Sequence, residues 1–421
     1  MNAYDIVKAR FLTPFDTKTI GNIGVELEFP MLNMNKAAID RGTADGLLEH
    51  FVQNGFEVEA KTTNGKPAFI YNADSDALSF DNSYNNFEFA MNYGANLCDI
   101  AERFYALYAE AQAFLLARGH TLTGMGTNPY KAYIKQDHVS FPVYNMVDDF
   151  LHAYPAAHKY PDFPSYLSSV QTHLDVDFAT LPRAATLFAR LDFVRVALFS
   201  NSPSWEQDNC LCFRDFLWEG SAFPNIGKVD EVYNSLEDIA DSFLQRKMFN
   251  RIRNGVYEVF APVTVADYFN NAAYGAEEGD INQFLSFRNI EITARGTLEI
   301  RSDCAQPVSQ AFAPPAFSLG IMHNLASTEA AMRDVFAGAS TAELRNTVIT
   351  GEGLDFPEGF LDKLVCIAAD GLKSRGLGEE KHLAPLYERA KAKTSPAAAT
   401  AKRLANGESI EDIIADYSRI F

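Results

Sequence analysis

Polar and apolar side chains alternate through Ile23-Gly24-Val25-Glu26-Leu27-Glu28-Phe29, so a strand over residues 21–30 turns Val25, Leu27 and Phe29 to one face and Glu26 and Glu28 to the other. The same period of two recurs in residues 67–92, interrupted by the turn-rich stretches Asn72–Asp76 and Asp81–Ser83, and it puts Glu88 on a polar face. Across Ser169–Phe178 it gathers Gln171, His173, Asp175 and Asp177 on one face. Residues 288–303 read as a hairpin turning at Ala294-Arg295-Gly296, with Glu299, Arg301 and Asp303 on its polar face. A period of three to four takes over in Leu97–Arg118, where Ile100, Phe104, Leu107, Tyr108, Ala111, Phe114 and Leu115 make one stripe and Gly119 stops the helix. Further helices are predicted over 43–54, 181–200, 308–336, 341–350, 357–375, 379–394 and 409–420. Phe141–Tyr166 reads as a long loop with a short helix at 146–153, and a second loop carries Trp205 and Arg214.

Long helices separate these strands without the regular strand-helix alternation and glycine-rich first turn of a doubly wound parallel sheet. The pattern predicts an α+β fold, a curved and mainly antiparallel sheet with flanking helices. Residues 1–310 would form the sheet-and-helix core and 311–421 a helical part packed on it.

With 421 residues and 47% hydrophobic content, the chain can bury a large core. A net charge of -19 disfavours nucleic acid and anionic membranes as partners, because that attraction needs surplus Lys and Arg. No signal peptide or membrane-length apolar run stands in the sequence, so a cytoplasmic location is expected. Five scattered cysteines give no disulfide framework, and Cys210 and Cys212, one residue apart, read as small residues of a loop or strand.

The chain has no Gly-x-x-x-x-Gly-Lys-[Ser/Thr] loop, no Gly-x-Gly-x-x-Gly and no Gly-x-Ser-x-Gly elbow, and Gly124-Met125-Gly126 reads as a plain turn. Phosphate handling would then fall to metal ions and Arg. Mg²⁺ takes a few carboxylates and keeps room for water and substrate phosphates, which suits Glu26, Glu28, Glu88 and Glu299, with His173 as a further ligand or polar contact. Each of these residues taken alone would more often be solvated, since polar strand faces normally meet water. Four acidic or His-bearing strands in one chain argue for a shared site.

Four separated segments resemble the glutamate-cysteine ligase superfamily, in the branch of the plant and proteobacterial enzymes and the bacterial carboxylate-amine ligases. They are Ile23-Gly24-Val25-Glu26-Leu27-Glu28-Phe29, Val170-Gln171-Thr172-His173-Leu174-Asp175-Val176, Ala197–Pro203 with Arg214 beyond it, and Gly296-Thr297-Leu298-Glu299-Ile300-Arg301. Their order and spacing agree over residues 20–310. The resemblance implies a glutamine-synthetase-like sheet and a ligase in which ATP phosphorylates a carboxylate before an amine attacks the acyl phosphate. It makes Glu26, Glu28, Glu88 and Glu299 Mg²⁺ ligands, places Arg301 and Arg214 on phosphate or carboxylate, and puts His173 near metal or nucleotide. Glutamate and cysteine would be the substrates and γ-glutamylcysteine, of glutathione biosynthesis, the product. The alternatives are the same chemistry with another amine, or a non-catalytic binding protein on the same fold. One departure stands out: the family has an acid three residues after the late Arg, where this chain has Cys304 and carries Asp303 one position earlier.

Overall fold

The computed structural model describes residues 2–130, 138–204, 210–221, 223–333, 335, 338–349 and 355–421. Trp205 lies outside these residues, as do Phe336 and Thr350 at the ends of two predicted helices.

Strands β1 (Ile23–Asn33), β2 (Glu57–Lys61), β3 (Pro67–Tyr71), β4 (Ala77–Phe80), β5 (Asn86–Gly94), β6 (His120–Leu122) and β7 (Ser169–Asp175) come first along the chain. They are followed by β8 (Ile226–Gly227), β9 (Lys247–Arg253), β10 (Val256–Thr264), β11 (Phe287–Arg288), β12 (Ile290–Ile292) and β13 (Thr297–Cys304). The main sheet runs β12-β13-β7-β1-β5-β4-β3-β2 with every neighbour antiparallel, and β6 pairs with the far end of β1. β9 and β10 form a separate hairpin, and β8 and β11 a short parallel pair.

The apolar face of β1 carries Val25, Leu27 and Phe29, all buried, and the Phe29 ring stacks 5.8 Å from Phe104 of the helix Leu97–Leu116. Asn96 starts that helix by accepting a hydrogen bond from the Cys98 backbone N–H. The helix Ala313–Met322 is buried on all sides, against β7 and against the helix Phe360–Arg375. The apolar cores of the early strands and of the C-terminal helices are therefore continuous. Helices thus cover one face of the sheet, leaving the face of Glu26, Glu28 and His173 for chemistry.

Several boundaries differ from the sequence expectation. Residues 181–200 form two helices, Leu181–Arg190 and Asp192–Phe199, and the break lets Asp192 reach Arg345 and Asn289. Residues 308–336 divide because Pro314 and Pro315 cannot continue the single turn Val308–Gln310 and instead open a new helix. The stretch read as a loop from Phe141 contains the helix Pro142–Ala153, which buries Met146, Phe150 and Leu151. The alanine-rich residues 396–401, outside every helix the pattern predicts, belong to the helix Pro396–Ala405, capped by Ser395. Gly124 and Gly126 let the backbone pass close to residues 304–307: a Cβ on Gly124 would lie 2.1 Å from the Gln306 carbonyl oxygen. This close approach accounts for both glycines sterically.

Candidate active site

Register places the polar residues side by side. Glu28 of β1 lies directly opposite Glu88 of β5, Glu26 lies opposite Gln171 of β7, and His173 lies opposite Glu299 of β13. His173 Nε2 is 3.1 Å from Glu26 Oε1 and 3.7 Å from Glu299 Oε1. Arg301 sits 3.0 Å from Glu299 and also donates to Gln171 Oε1, while Gln171 Nε2 donates to Glu28 Oε1 at 2.7 Å. Ser169 completes Glu28 with backbone N–H and hydroxyl bonds to Oε2. Arg214 donates to Asp215 and, at 2.9 Å, to the Arg301 carbonyl, so it braces β13 from beneath. Glu26, Glu28, Glu88, Arg214 and Arg301 line one cavity of about 210 Å³, and His173 and Glu299 adjoin it through Glu26. Glu28 and Glu299 are 5% and 4% exposed, so the polar strand faces do not simply meet water.

The cluster has two electrostatic halves. Burial alone would raise the Glu26 carboxyl, but His173, Arg301 and Arg295 outweigh it and hold it at about 2. Burial works against the His173 cation, yet Glu299 and Glu26 overcome it and raise its pKa. The other half lacks such compensation. Burial raises Glu28 despite Arg214 and Ser169; burial with the Glu26, Asp81 and Glu28 charges pushes Glu88 well up; burial and Glu28 lift Asp81 to about 7. A buried carboxylate group of this kind, short of positive charge, fits a bound cation.

The donor set also fits a metal on the other side. Ligand atoms of Glu26, His173 and Glu299 lie within 4.8 Å of one another, and the buried Glu299 Oε1 meets Arg301 Nε at 3.0 Å as an ion pair without hydrogen-bond alignment. A pH dependence follows from the uncompensated half. Asp81 and Glu88 hold protons more tightly folded than unfolded, so their contribution to stability is full below about pH 4 and is lost as pH rises through about 7 for Asp81. A cation at these carboxylates offsets that loss. Mg²⁺ is therefore expected to raise the Tm more at about pH 8 than at about pH 5.5, and Asp81→Asn with Glu88→Gln should remove the difference. Melting curves with and without Mg²⁺ check this, and an equal shift at both pH values would contradict it.

Sequence reading missed Asp81. It looked like a turn residue, yet it stands at the end of β4, where the β4–β5 connection returns the chain beside Glu88 and the cavity. Its spacing of seven from Glu88 on a short hairpin is the signal that was present. The placement of Asp303 beside Glu299 and Arg301 needs correction. A bulge between Ile300 and Asp303 reverses the alternation, so Asp303 points into the core and pairs with the buried Arg195. Cys304 lies 3.6 Å from Cys212, sulfur to sulfur, and both are buried thiols. Cys210 and Cys212 join no metal-ligand group among the described residues.

The fold has relatives of known structure. Glutamate-cysteine ligase (GshA) from Francisella tularensis, solved in complex with AMP, superimposes with a TM-score of 0.58 at 13% identity, over 96% of this chain and 89% of that one. A bifunctional glutathione synthetase from Pasteurella multocida matches with a TM-score of 0.51 at 11% identity, over 99% of this chain and 52% of that one. At these identities the likeness concerns the fold. No curated protein sequence matches the chain. Residues 22–352 match the family model of glutamate-cysteine ligase family 2 (GCS2), and the chain belongs to that family.

Proposed function

We propose that this protein is an ATP- and Mg²⁺-dependent ligase that joins the γ-carboxyl of glutamate to the amine of an amino acid, with cysteine as the acceptor the family suggests. The carrying observation is the convergence of Glu26, Glu28, Glu88, Glu299, His173, Arg214 and Arg301 on one sheet face and its cavity. The reaction balances as follows: a glutamate carboxylate oxygen takes the γ-phosphoryl group and ADP leaves. The amine nitrogen then bonds the acyl carbon while the carbon–oxygen bond to phosphate breaks, its electron pair leaving with phosphate and the amine proton passing to solvent.

Glu26 and Glu299 with His173, and Glu28 with Asp81 and Glu88, would hold Mg²⁺. Bound there, Mg²⁺ supplies neutralisation of phosphate charge. Arg301 adds a guanidinium at the junction of the two halves, where negative charge builds on the transferring group. Its own contacts fix its direction, because Glu299 and Gln171 engage different nitrogens of one planar fork. Burial shields the junction from water and strengthens these interactions.

Arg301→Lys should lower kcat/KM by about 10²-fold or more, since an ammonium cannot reach both partners. Steady-state rates with Mg-ATP check it, and retained activity would contradict the role. The acyl phosphate itself is open to trapping. With Mg-ATP, glutamate and hydroxylamine, the proposal expects glutamyl hydroxamate with one ADP for each molecule formed. Hydroxamate accompanied by AMP and pyrophosphate would instead indicate an adenylate and overturn the phosphoryl step.

A further inference from the structure

The two ring nitrogens of His173 have different surroundings. Nε2 lies 3.1 Å from Glu26 and 3.7 Å from Glu299, the carboxylates with which it forms a group of potential metal ligands. Nδ1 lies 3.2 Å from Thr297 Oγ1, its one hydrogen bond among the described residues. Thr297 Oγ1 is in turn 2.7 Å from Thr293 Oγ1. The Thr293 hydroxyl oxygen accepts the backbone N–H groups of Arg295 and Thr297, each at 3.3 Å, and so ties this pair of hydroxyls to the turn between β12 and β13.

The turn itself is held in place. The Thr293 N–H donates to the Thr297 carbonyl at 3.0 Å and the Gly296 N–H to the Thr293 carbonyl at 3.1 Å. Gly296 has φ of 76°, and a Cβ there would lie 2.7 Å from the Pro14 carbonyl oxygen, so the turn is packed closely on the backbone of Pro14. Thr297 stands two residues before Glu299 on β13, and their side chains therefore leave the same face of the sheet. One strand thus supplies a carboxylate of the group and the hydroxyl that meets its histidine.

A neutral imidazole carries one ring proton, so a cation bound at one nitrogen requires that proton on the other. A hydroxyl oxygen has two lone pairs. Even when Thr297 Oγ1 accepts from Thr293, one remains for an Nδ1 proton. A proton held there fixes the orientation of the ring and leaves the Nε2 lone pair facing Glu26 and Glu299.

We propose that Thr297 is a positioning residue, which holds the Nδ1 proton of His173 and thereby presents Nε2 to a cation between Glu26 and Glu299. The inference rests on the metal and ligase reading above and adds to it a residue that acts through His173. Outer partners of this kind change metal affinity by about 10- to 100-fold when they are removed.

The test uses Mn²⁺ as a paramagnetic probe on the full chain without nucleotide. The electron paramagnetic resonance signal of free Mn²⁺ gives the affinity, and nitrogen hyperfine coupling in spin-echo spectra reports an imidazole on the metal. Wild type should bind Mn²⁺ with nitrogen coupling. Thr297→Val keeps the shape of the side chain and loses the hydroxyl, so it should weaken the nitrogen-coupled site by about 10- to 100-fold. Thr297→Ser keeps the hydroxyl and should bind as wild type does. Thr297→Ala set beside Thr297→Ser puts the same question if the valine variant does not fold. Wild-type affinity and coupling in the valine or alanine variant overturn the inference. Equal losses in the serine and alanine variants overturn it too, by tracing the effect to packing. Wild type without nitrogen coupling removes His173 from the metal and defeats the inference with it, while the hydroxamate assay decides the ligase reading separately.

Discussion

Glu299→Gln should fold normally and lose turnover by about 10²–10³-fold, the effect of deleting one element of charge stabilisation from a preorganised site. The substitution keeps the shape of the side chain and removes only its charge. Glu299 sits where three partners meet: His173 across the strand pair, Arg301 two residues on, and Glu26 through His173. Its buried Oε1 atom is contacted only by the cationic groups of Arg301, at 3.0 Å, and His173, at 3.7 Å, and an amide has far less affinity for a cation than this carboxylate has. An unchanged circular dichroism spectrum beside a collapsed rate is the expected pair of results. A wild-type rate would remove Glu299 from the chemistry.

The second large effect concerns stability. Arg345 lies in the helix Thr341–Ile349, is fully buried, and is surrounded by Asp192 at 2.7 Å, Asp215 at 2.5 Å and Glu219. Arg345→Met leaves these acids enclosed with one cation fewer. Removing one partner of a buried ion cluster costs about 3–5 kcal/mol, more than replacing the whole cluster with apolar groups. Chemical denaturation should show a lower midpoint at constant slope. Asp215 also orients Arg214, which holds the Arg301 carbonyl, so the variant should lose activity at temperatures where it remains folded. An unfolding free energy within about 0.5 kcal/mol of wild type would contradict this account of the cluster.

What the sequence revealed and what it concealed have separate physical causes. Strict alternation in β1 and β7 had one outcome, because one face of each strand is buried in the core and a slip of one residue would invert it. Glu26 and Glu28 were therefore legible as sharing one face and His173 as standing on the polar face of its own strand, while the pairing of β1 with β7 that brings them together is in the register and not in the alternation. The same logic failed at Asp303, since a bulge leaves no mark in the pattern of polar and apolar residues. The hairpin of β9 and β10 carries an Asn254-Gly255 turn with φ of 52° and 77°, the hairpin signal, but Arg251, Arg253 and Glu258 blur the alternation around it. Of the helix Pro142–Ala153, which supplies one wall of the cavity, residues 146–153 were legible, and only its opening turn from Pro142 was read as loop. Family motifs reached only to about residue 310, while the family match extends to 352 and takes in Arg345, a contact that no local motif encodes.

The central claim is that these carboxylates and arginines couple ATP cleavage to amide formation. Its most direct test is a single incubation of the protein with Mg-ATP, glutamate and an equimolar mixture of amino acids, following ADP and the masses of all products. The account predicts ADP release that depends on both glutamate and an amine, matched one for one by a product with the mass of glutamate plus amine less water. ADP release without any such amide, or no release at all, would contradict it.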